Sequence, residues 1–348
     1  MKLAFDPVRV IKSRFFSNLQ RPSFDYQEII QGNTWACTDL GAFRRPLQPL
    51  RGVKGVVIME DRDPEFFLGF RHYKPTEQTH LNRHGPLQFW STQQDLKHLV
   101  RELHEQKINV LIGFWNYGGW GFGLLSRASW LRSHPELQRV AGSSDLEPFV
   151  NLDKEGISYA DFIAHQYQKL AETFEFDGLM LGDGFCGYRA FGQPDTYRDR
   201  EETAASWTDF YRVIAETVHR TKGQLFAYDC MGYSVSEAQR HGADYRHLSE
   251  AGLDTLVFQS YPQAWGEHWL SRYAERFDLD ACAVNLRTVK KALRDTKTKV
   301  LYSLELGDSV EKWWAEPQKT KKQMERLDCL ADGRFLVWAN DIFGNVNS

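Results

Sequence analysis

The chain is poor in cysteine and arranges what it has in no chemical pattern. Five cysteines in 348 residues (Cys37, Cys186, Cys230, Cys282, Cys329) are odd in number, scattered and without CxxC spacing. That argues against a disulfide framework and a structural zinc site, and leaves reduced, buried thiols as the expectation. Charge of one sign is also missing. The 43 basic and 46 acidic residues give a formal net charge of -3 without long runs of either sign, so no electrostatic footprint for nucleic acid is present. No stretch reaches membrane-spanning length, and the opening Met1-Lys2-Leu3-Ala4-Phe5-Asp6-Pro7 lacks the apolar core of a signal peptide. The expectation is a cytoplasmic protein that engages neither nucleic acid nor membrane. No glycine-rich phosphate loop follows any early strand, which weighs against a doubly wound nucleotide-binding sheet. None of the 11 histidines ends a predicted strand, so a barrel hydrolase built on a His and Asp metal centre has little support, and no metal or cofactor is expected.

What is present is apolar and aromatic. With 42% hydrophobic residues, the chain can bury a large core as a single domain spanning 1–348, in which residues 1–28 form an irregular N-terminal segment. Phe, Trp and Tyr make up 14% of the chain, with 11 Trp among them. Many follow predicted strands. Half-buried rings with polar tips in water account for part of this excess; a cleft lined with flat rings for a sugar accounts for it equally well.

Hydrophobic patterning predicts eight strands. They are Ile29 to Cys37, Val53 to Met59, Asn109 to Trp115, Phe176 to Asp183, Gln224 to Asp229, Leu253 to Pro262, Lys299 to Glu305 and Arg334 to Asp341. Between them run amphipathic helices. Leu96, Leu99, Val100 and Leu103 fall on one face, as do Tyr159, Phe162, Ile163, Tyr167 and Leu170, and then Trp207, Phe210, Tyr211, Ile214 and Val218. A weaker helix is expected from Val235 to Ala251, then helical pieces through Phe277 and Leu293, and a last helix through Met324, Leu327 and Leu330. The glycine- and aromatic-rich run Asn116 to Gly123 reads as a long functional loop after the third strand. Eight strands alternating with helices define a (β/α)8 TIM barrel.

In that register several carboxylates stand at strand ends: Glu60 or Asp61, Asp183, Asp229, Glu305 and Asp341. The barrel brings all such ends to one face. A single strand-end acid is as easily a helix cap or an arginine partner, but five together raise the electrostatic cost of the mouth unless protons, cations or ligand hydroxyls share it. Asp183 stands out, set between Gly182 and Gly184 at the end of a fully apolar run.

The segment made of Trp130 to Pro135, then Val150-Asn151-Leu152, a helix, and Phe176-Asp177-Gly178-Leu179-Met180-Leu181-Gly182-Asp183 resembles the third-loop-to-fourth-strand region of barrel glycoside hydrolases. The grouping is broad and includes α-galactosidases, α-glucosidases of the melibiase and related families, and dextranases. The resemblance implies an O-glycosyl hydrolase acting on an oligosaccharide or glycoside, with Asp183 as nucleophile. In those families the acid/base comes from strand five or six. Here strand six ends in Gln259-Ser260-Tyr261-Pro262 without a carboxylate, a departure from the α-galactosidase pattern that makes Asp229 the first candidate. Glu305 resembles the third, strand-seven acid of amylase-type barrels and is the alternative partner.

Retention needs one carboxylate to attack the anomeric carbon and a second, protonated, to serve the leaving oxygen, the two about 5–5.5 Å apart. Neighbouring strands lie about 4.8 Å apart, which suits acids at the ends of strands four and five. Asp183 with Glu305 spans more of the barrel, and a separation of roughly 6.5–9.5 Å would mean inversion. Supporting contacts to sugar are expected from Trp115, Tyr117 and Trp120 as a stacking wall, Tyr188 and Arg189 after the nucleophile, Tyr261 and Trp265 opposite, and Trp338 with Asp341 at strand eight. The competing reading is a carbohydrate-binding barrel without catalysis.

Overall fold

The computed structural model describes residues 24–39, 43, 47, 49–50, 52–60, 93–114, 158–182, 200–229, 231–240, 242–269, 274–308, 313–337, 339 and 342. Eight strands close into a barrel in sequence order: β1 (Thr34–Asp39), β2 (Gly55–Glu60), β3 (Asn109–Phe114), β4 (Gly178–Leu181), β5 (Gln224–Tyr228), β6 (Thr255–Phe258), β7 (Lys299–Glu305) and β8 (Gly333–Val337). Every neighbouring pair is parallel, including β8 against β1. Helices flank it: α1 (Tyr26–Ile29), α2 (Gln93–Glu105), α3 (Tyr159–Phe174), α4 (Arg200–Arg220), α5 (Val235–Arg240), α6 (Tyr245–Glu250), α7 (Ala274–Phe277), α8 (Leu279–Ala292) and α9 (Pro317–Leu327). This is the (β/α)8 barrel that the alternation predicts.

Several boundaries differ from expectation, each for a local reason. Ile29 and Ile30 do not begin a strand. Asp25 caps one helical turn over Tyr26–Ile29 by accepting from the amides of Gln27 and Glu28, and that cap prevails over the β preference of two isoleucines. The helix expected from Val235 to Ala251 breaks at Gly242, and Asp244 caps a separate helix by accepting from Arg246 and His247. Strand six ends at Phe258, because Pro262 opens a π-helix over Pro262–Trp269. The Trp313–Trp314 pair forms a two-residue antiparallel ladder with Gly307–Asp308. Of the described cysteines, Cys37 and Cys282 are buried, but Cys329 is exposed.

Aromatic rings fill the barrel. Trp35 on β1 meets Phe226 on the opposite strand β5 with centroids 4.6 Å apart, and Tyr228 meets Phe335 of β8 at 5.8 Å. Trp35 and Trp207 are both almost fully buried, so part of the tryptophan excess is core. Helix faces cover the outside: Leu96, Leu99, Val100 and Leu103 of α2 are all buried, and α3 lies against α4, with Tyr159 and Phe210 in ring contact.

The N-terminal rim is built on a repeated device. Leu111 pairs with Gly178, Phe226 with Thr255, and Leu301 with Gly333, so the first two residues of β3, β5 and β7 project below the start of the following strand. The second amide of each projecting end has no ladder acceptor, and an aspartate placed immediately before the next strand supplies one. Asp177 Oδ2 accepts from Val110 N at 2.8 Å, Asp254 Oδ2 from Leu225 N at 2.7 Å, and Asp332 Oδ2 from Val300 N at 2.8 Å. A basic side chain from the preceding helix completes each group: His104 Nε2 at 2.8 Å, His219 Nε2 at 2.9 Å, and the Lys290 ammonium. Glycine follows two of these aspartates because the chains touch there. A Cβ on Gly178 would lie 2.1 Å from the Gln224 carbonyl oxygen, and one on Gly333 would lie 2.1 Å from that of Asn33.

Candidate active site

Side chains alternate across a strand, and residues in register share a face. Phe226 and Tyr228 point inward, as their ring contacts show. Tyr228 is level with Val257, Val257 with Leu301, and Glu305 with Val337, two residues beyond the inward Phe335. Leu301, Ser303 and Glu305 therefore share the interior face, and Glu305 ends β7 pointing toward the barrel axis. Asp229 follows Tyr228, and its amide continues the ladder to Val257 O at 2.9 Å. It falls on the opposite face, toward the helices.

The two acids are held differently. Asp229, 2% exposed, accepts from Gly232 N through both oxygens at 3.1 and 3.0 Å and from Gln259 N at 3.0 Å. The chain makes this possible with consecutive left-handed residues, Met231 and Gly232, at φ of 55° and 66°. Gln259 closes the arrangement, its Oε1 accepting from Met231 N at 3.1 Å. Asp229 thus ties the turn after β5 to the end of β6.

Glu305 has no exposed surface. Its Oε2 accepts from Gln263 N at 3.0 Å and its Oε1 from Ala264 N at 2.7 Å, the free amides at the start of the π-helix. Burial pushes its carboxyl up to about 8, the two amides pull the other way, and Glu267 adds repulsion. Desolvation prevails, so this carboxyl keeps its proton at neutral pH. Nearby, burial also pushes the Cys282 thiol up, reinforced by Glu305, Asp278 and Asp229. Its Sγ donates to the Phe277 carbonyl, and a neutral thiol of this kind is no nucleophile.

Around the acids stand residues with polar or aromatic faces. Tyr261 and Trp265 meet edge to face with centroids 4.4 Å apart, and Trp265 meets Phe277 at 5.3 Å. Trp265 is half-buried, and its position follows from the π-helix, which starts where the Tyr261 carbonyl accepts from Trp265 N and Gly266 N. Of the residues singled out from sequence, Asp229, Glu305, Tyr261 and Trp265 stand at or just beyond the C-terminal ends of β5 to β7, Asp229 on the face opposite Glu305, and Glu60 is the last residue of β2. Asp183, Asp61, Trp115, Tyr117, Trp120, Tyr188, Arg189, Trp338 and Asp341 lie outside the described residues. Asp183 directly follows Gly182, whose amide donates to Phe114 O at 2.7 Å as β4 ends.

Sequence reasoning missed the polar frame behind Glu305, made of Gln263, Thr320 and Gln323, all buried. The signal was present: Thr320 and Gln323 sit three apart on a helix, in line with Met324 and Leu327. Among the described residues no group of three or more His, Cys, Asp or Glu is placed to hold a metal ion, and no helix is long and apolar enough to cross a membrane.

No family model matches the chain, and no curated protein matches it. Solved structures do. A class V chitinase from Pseudomonas fluorescens Pf-5 superposes with a TM-score of 0.52 at 12% identity, covering 90% of this chain and 96% of that one. The endo-1,4-β-D-mannanase of Thermotoga petrophila RKU-1 gives 0.50 at 11% identity over 88% and 87% of the two chains. The PgaB glycoside hydrolase domain of Bordetella bronchiseptica gives 0.50 at 12% over 91% and 96%. At these identities the likeness is one of fold: the chain is a (β/α)8 barrel of the architecture these carbohydrate-active proteins share.

Proposed function

We propose that this chain is a glycoside hydrolase that cleaves an oligosaccharide or glycoside, with Glu305 as the proton donor and Asp183 as the second carboxylate, which is the nucleophile of a retaining reaction at a separation of about 5–5.5 Å and the base for an inverting water at roughly 6.5–9.5 Å. The observation that carries the reading is Glu305: an inward-pointing, fully buried carboxyl at the C-terminal end of β7, which burial pushes up to about 8. A general acid needs to be protonated while its partner is ionised. Asp229, the first candidate from sequence, is the weaker choice because it follows the inward Tyr228 and falls on the opposite face, toward the helices. Solved barrels of the same architecture carry names such as chitinase and mannanase, which supports a sugar substrate. Trp265 and Tyr261 fit the apolar face of a sugar ring, and Trp115, Tyr117, Trp120, Tyr188, Arg189, Trp338, Asp341, Glu60 and Asp61 remain proposed contacts.

Leaving-group dependence tests the roles. Glu305→Gln is expected to slow hydrolysis of alkyl or phenyl glycosides by about 10²–10⁴-fold while sparing dinitrophenyl glycosides, which need no proton. Asp183→Asn is expected to abolish both. If Asp229→Asn shows the leaving-group pattern and Glu305→Gln does not, the acid is Asp229. NMR of the first-formed anomer reads the stereochemistry. A second reading, a sugar-binding barrel without catalysis, is favoured by the fact that Asp229 and Glu305 both accept from backbone amides. It gains if a broad aryl-glycoside screen gives no turnover while sugars still bind.

A further inference from the structure

We infer that Gln263, Thr320 and Gln323 are positioning residues that hold Glu305 in a fixed, buried frame and so govern its protonation; this rests on the proposed role of Glu305 as proton donor. The frame is a closed ring of bonds. Gln263 gives its backbone amide to Glu305 Oε2, while its side-chain Oε1 accepts from Glu316 N at 2.7 Å and its Nε2 donates to Thr320 Oγ1 at 3.4 Å. Thr320 Oγ1 then donates back to the Glu305 carbonyl at 3.2 Å. One turn further along α9, Gln323 Nε2 bridges the carbonyls of Ser260 and Ser303, at 3.0 Å each, and Ser260 Oγ donates to Ser303 O at 2.6 Å. So one helix face fixes the end of β7, the segment after β6 and the start of the π-helix relative to one another. Those are the elements that supply the carboxyl, the strand beside it and its two amide donors.

The frame is unusually polar for a place with no solvent access. Thr320 is 1% exposed, Gln323 and Ser303 have no exposed surface, and Gln323 Oε1 is buried with no partner among the described residues. An unpaired buried acceptor is destabilising, and an apolar side chain of similar shape would avoid it; what the glutamine supplies instead is orientation. Among the described residues, the charged or titratable groups that bear on Glu305 are Glu267 on the π-helix, which Lys319 of α9 binds, and the Cys282 thiol on α8. None of the three positioning residues is itself ionisable, so they act through geometry and dryness.

The experiment is a titration of Glu305 by 13C NMR in the full-length, ligand-free chain labelled at glutamate Cδ, the resonance being assigned by its loss in Glu305→Gln. The wild-type carboxyl is expected to titrate near 8. Thr320→Val and Gln323→Met remove the bonds while keeping the volume, and are expected to admit water and move the midpoint down by more than one pH unit. Thr320→Ser, which keeps the hydroxyl, is expected to stay within about 0.3 pH units of wild type, as a frame role requires. Folded variants whose midpoints do not fall would overturn the inference, as would a fall in Thr320→Ser as large as in Thr320→Val. The readout needs no substrate. A barrel that hydrolyses no glycoside but shows these changes loses the enzymatic reading and keeps the frame; one that turns over with immobile midpoints does the reverse.

Discussion

The two ends of the barrel use aspartate and glutamate in opposite ways. At the N-terminal rim, Asp177, Asp254 and Asp332 are each about a third exposed, each meets a backbone amide, and each has a histidine or lysine beside it. Their charge is shared with a base and with water, and they repeat a single structural task three times. At the C-terminal rim, Asp229 and Glu305 are buried, and backbone amides hold their oxygens. The first arrangement serves strand register. The second leaves a carboxyl whose protonation is decided by burial, which is the condition that acid catalysis exploits. Equal numbers of acids at the two rims would look alike in composition; what separates them is the base at one end and the dryness at the other.

The largest test of that contrast is kinetic. Glu305→Gln is expected to cut turnover of poor leaving-group substrates by at least about 100-fold, whereas Asp254→Asn, at the far rim, should leave kcat within about twofold; a large kcat effect of the far-rim change would erase the division of labour. Next is the pH dependence of stability. Glu305 titrates near 8 when folded against an ordinary 4.5, so its neutral form is favoured in the fold. Stability is full below about 4.5, falls as pH rises toward 8, and levels off above it. The loss is on the order of a few kcal/mol, because each pH unit between the folded and unfolded midpoints is worth about 1.4 kcal/mol. Urea melts of wild type and Glu305→Gln at pH 5 and pH 9 check this, the variant showing the flatter profile. Gly178→Ala then tests the close approach at β4: with the Gln224 oxygen 2.1 Å from the new Cβ, the backbone has to move, at about 1–3 kcal/mol. Smallest is Asp332→Ala, which strands the Val300 amide and the Lys290 ammonium at a partly exposed site and is expected to lower stability by about 1–2 kcal/mol.

The eight strands were legible because each is a short apolar run between helical faces, and periodicity reports that directly. The three-fold aspartate device was not, although Asp177-Gly178 and Asp332-Gly333 are visible side by side once the barrel is known. The partner amides lie 67, 29 and 32 residues from their aspartates, so no fixed period exists to find, and the irregularity of loop lengths conceals a regularity that exists only in the register. The fates of Asp229 and Glu305 were hidden for a related reason. One depends on an amide 30 residues later and the other on amides about 42 residues earlier. Strand six was read too long because Gln259-Ser260-Tyr261 is compatible with extension, and only the π-helix that begins at Pro262 turns those residues into a floor for Glu305.

Arg334 has a consequence for how the chain comes off the ribosome. Its guanidinium grips Asp328 and reaches the carbonyls of Glu28 and Ile29, 306 and 305 residues away, while β8 supplies the neighbour that β1 otherwise lacks. Until residue 337 has been synthesised, the free side of β1 is an open edge, and an emerging barrel with an open edge is a template for pairing with another nascent chain. Ring closure thus waits for the eighth strand, and shielding β1 until then is a demand that this topology places on the cell.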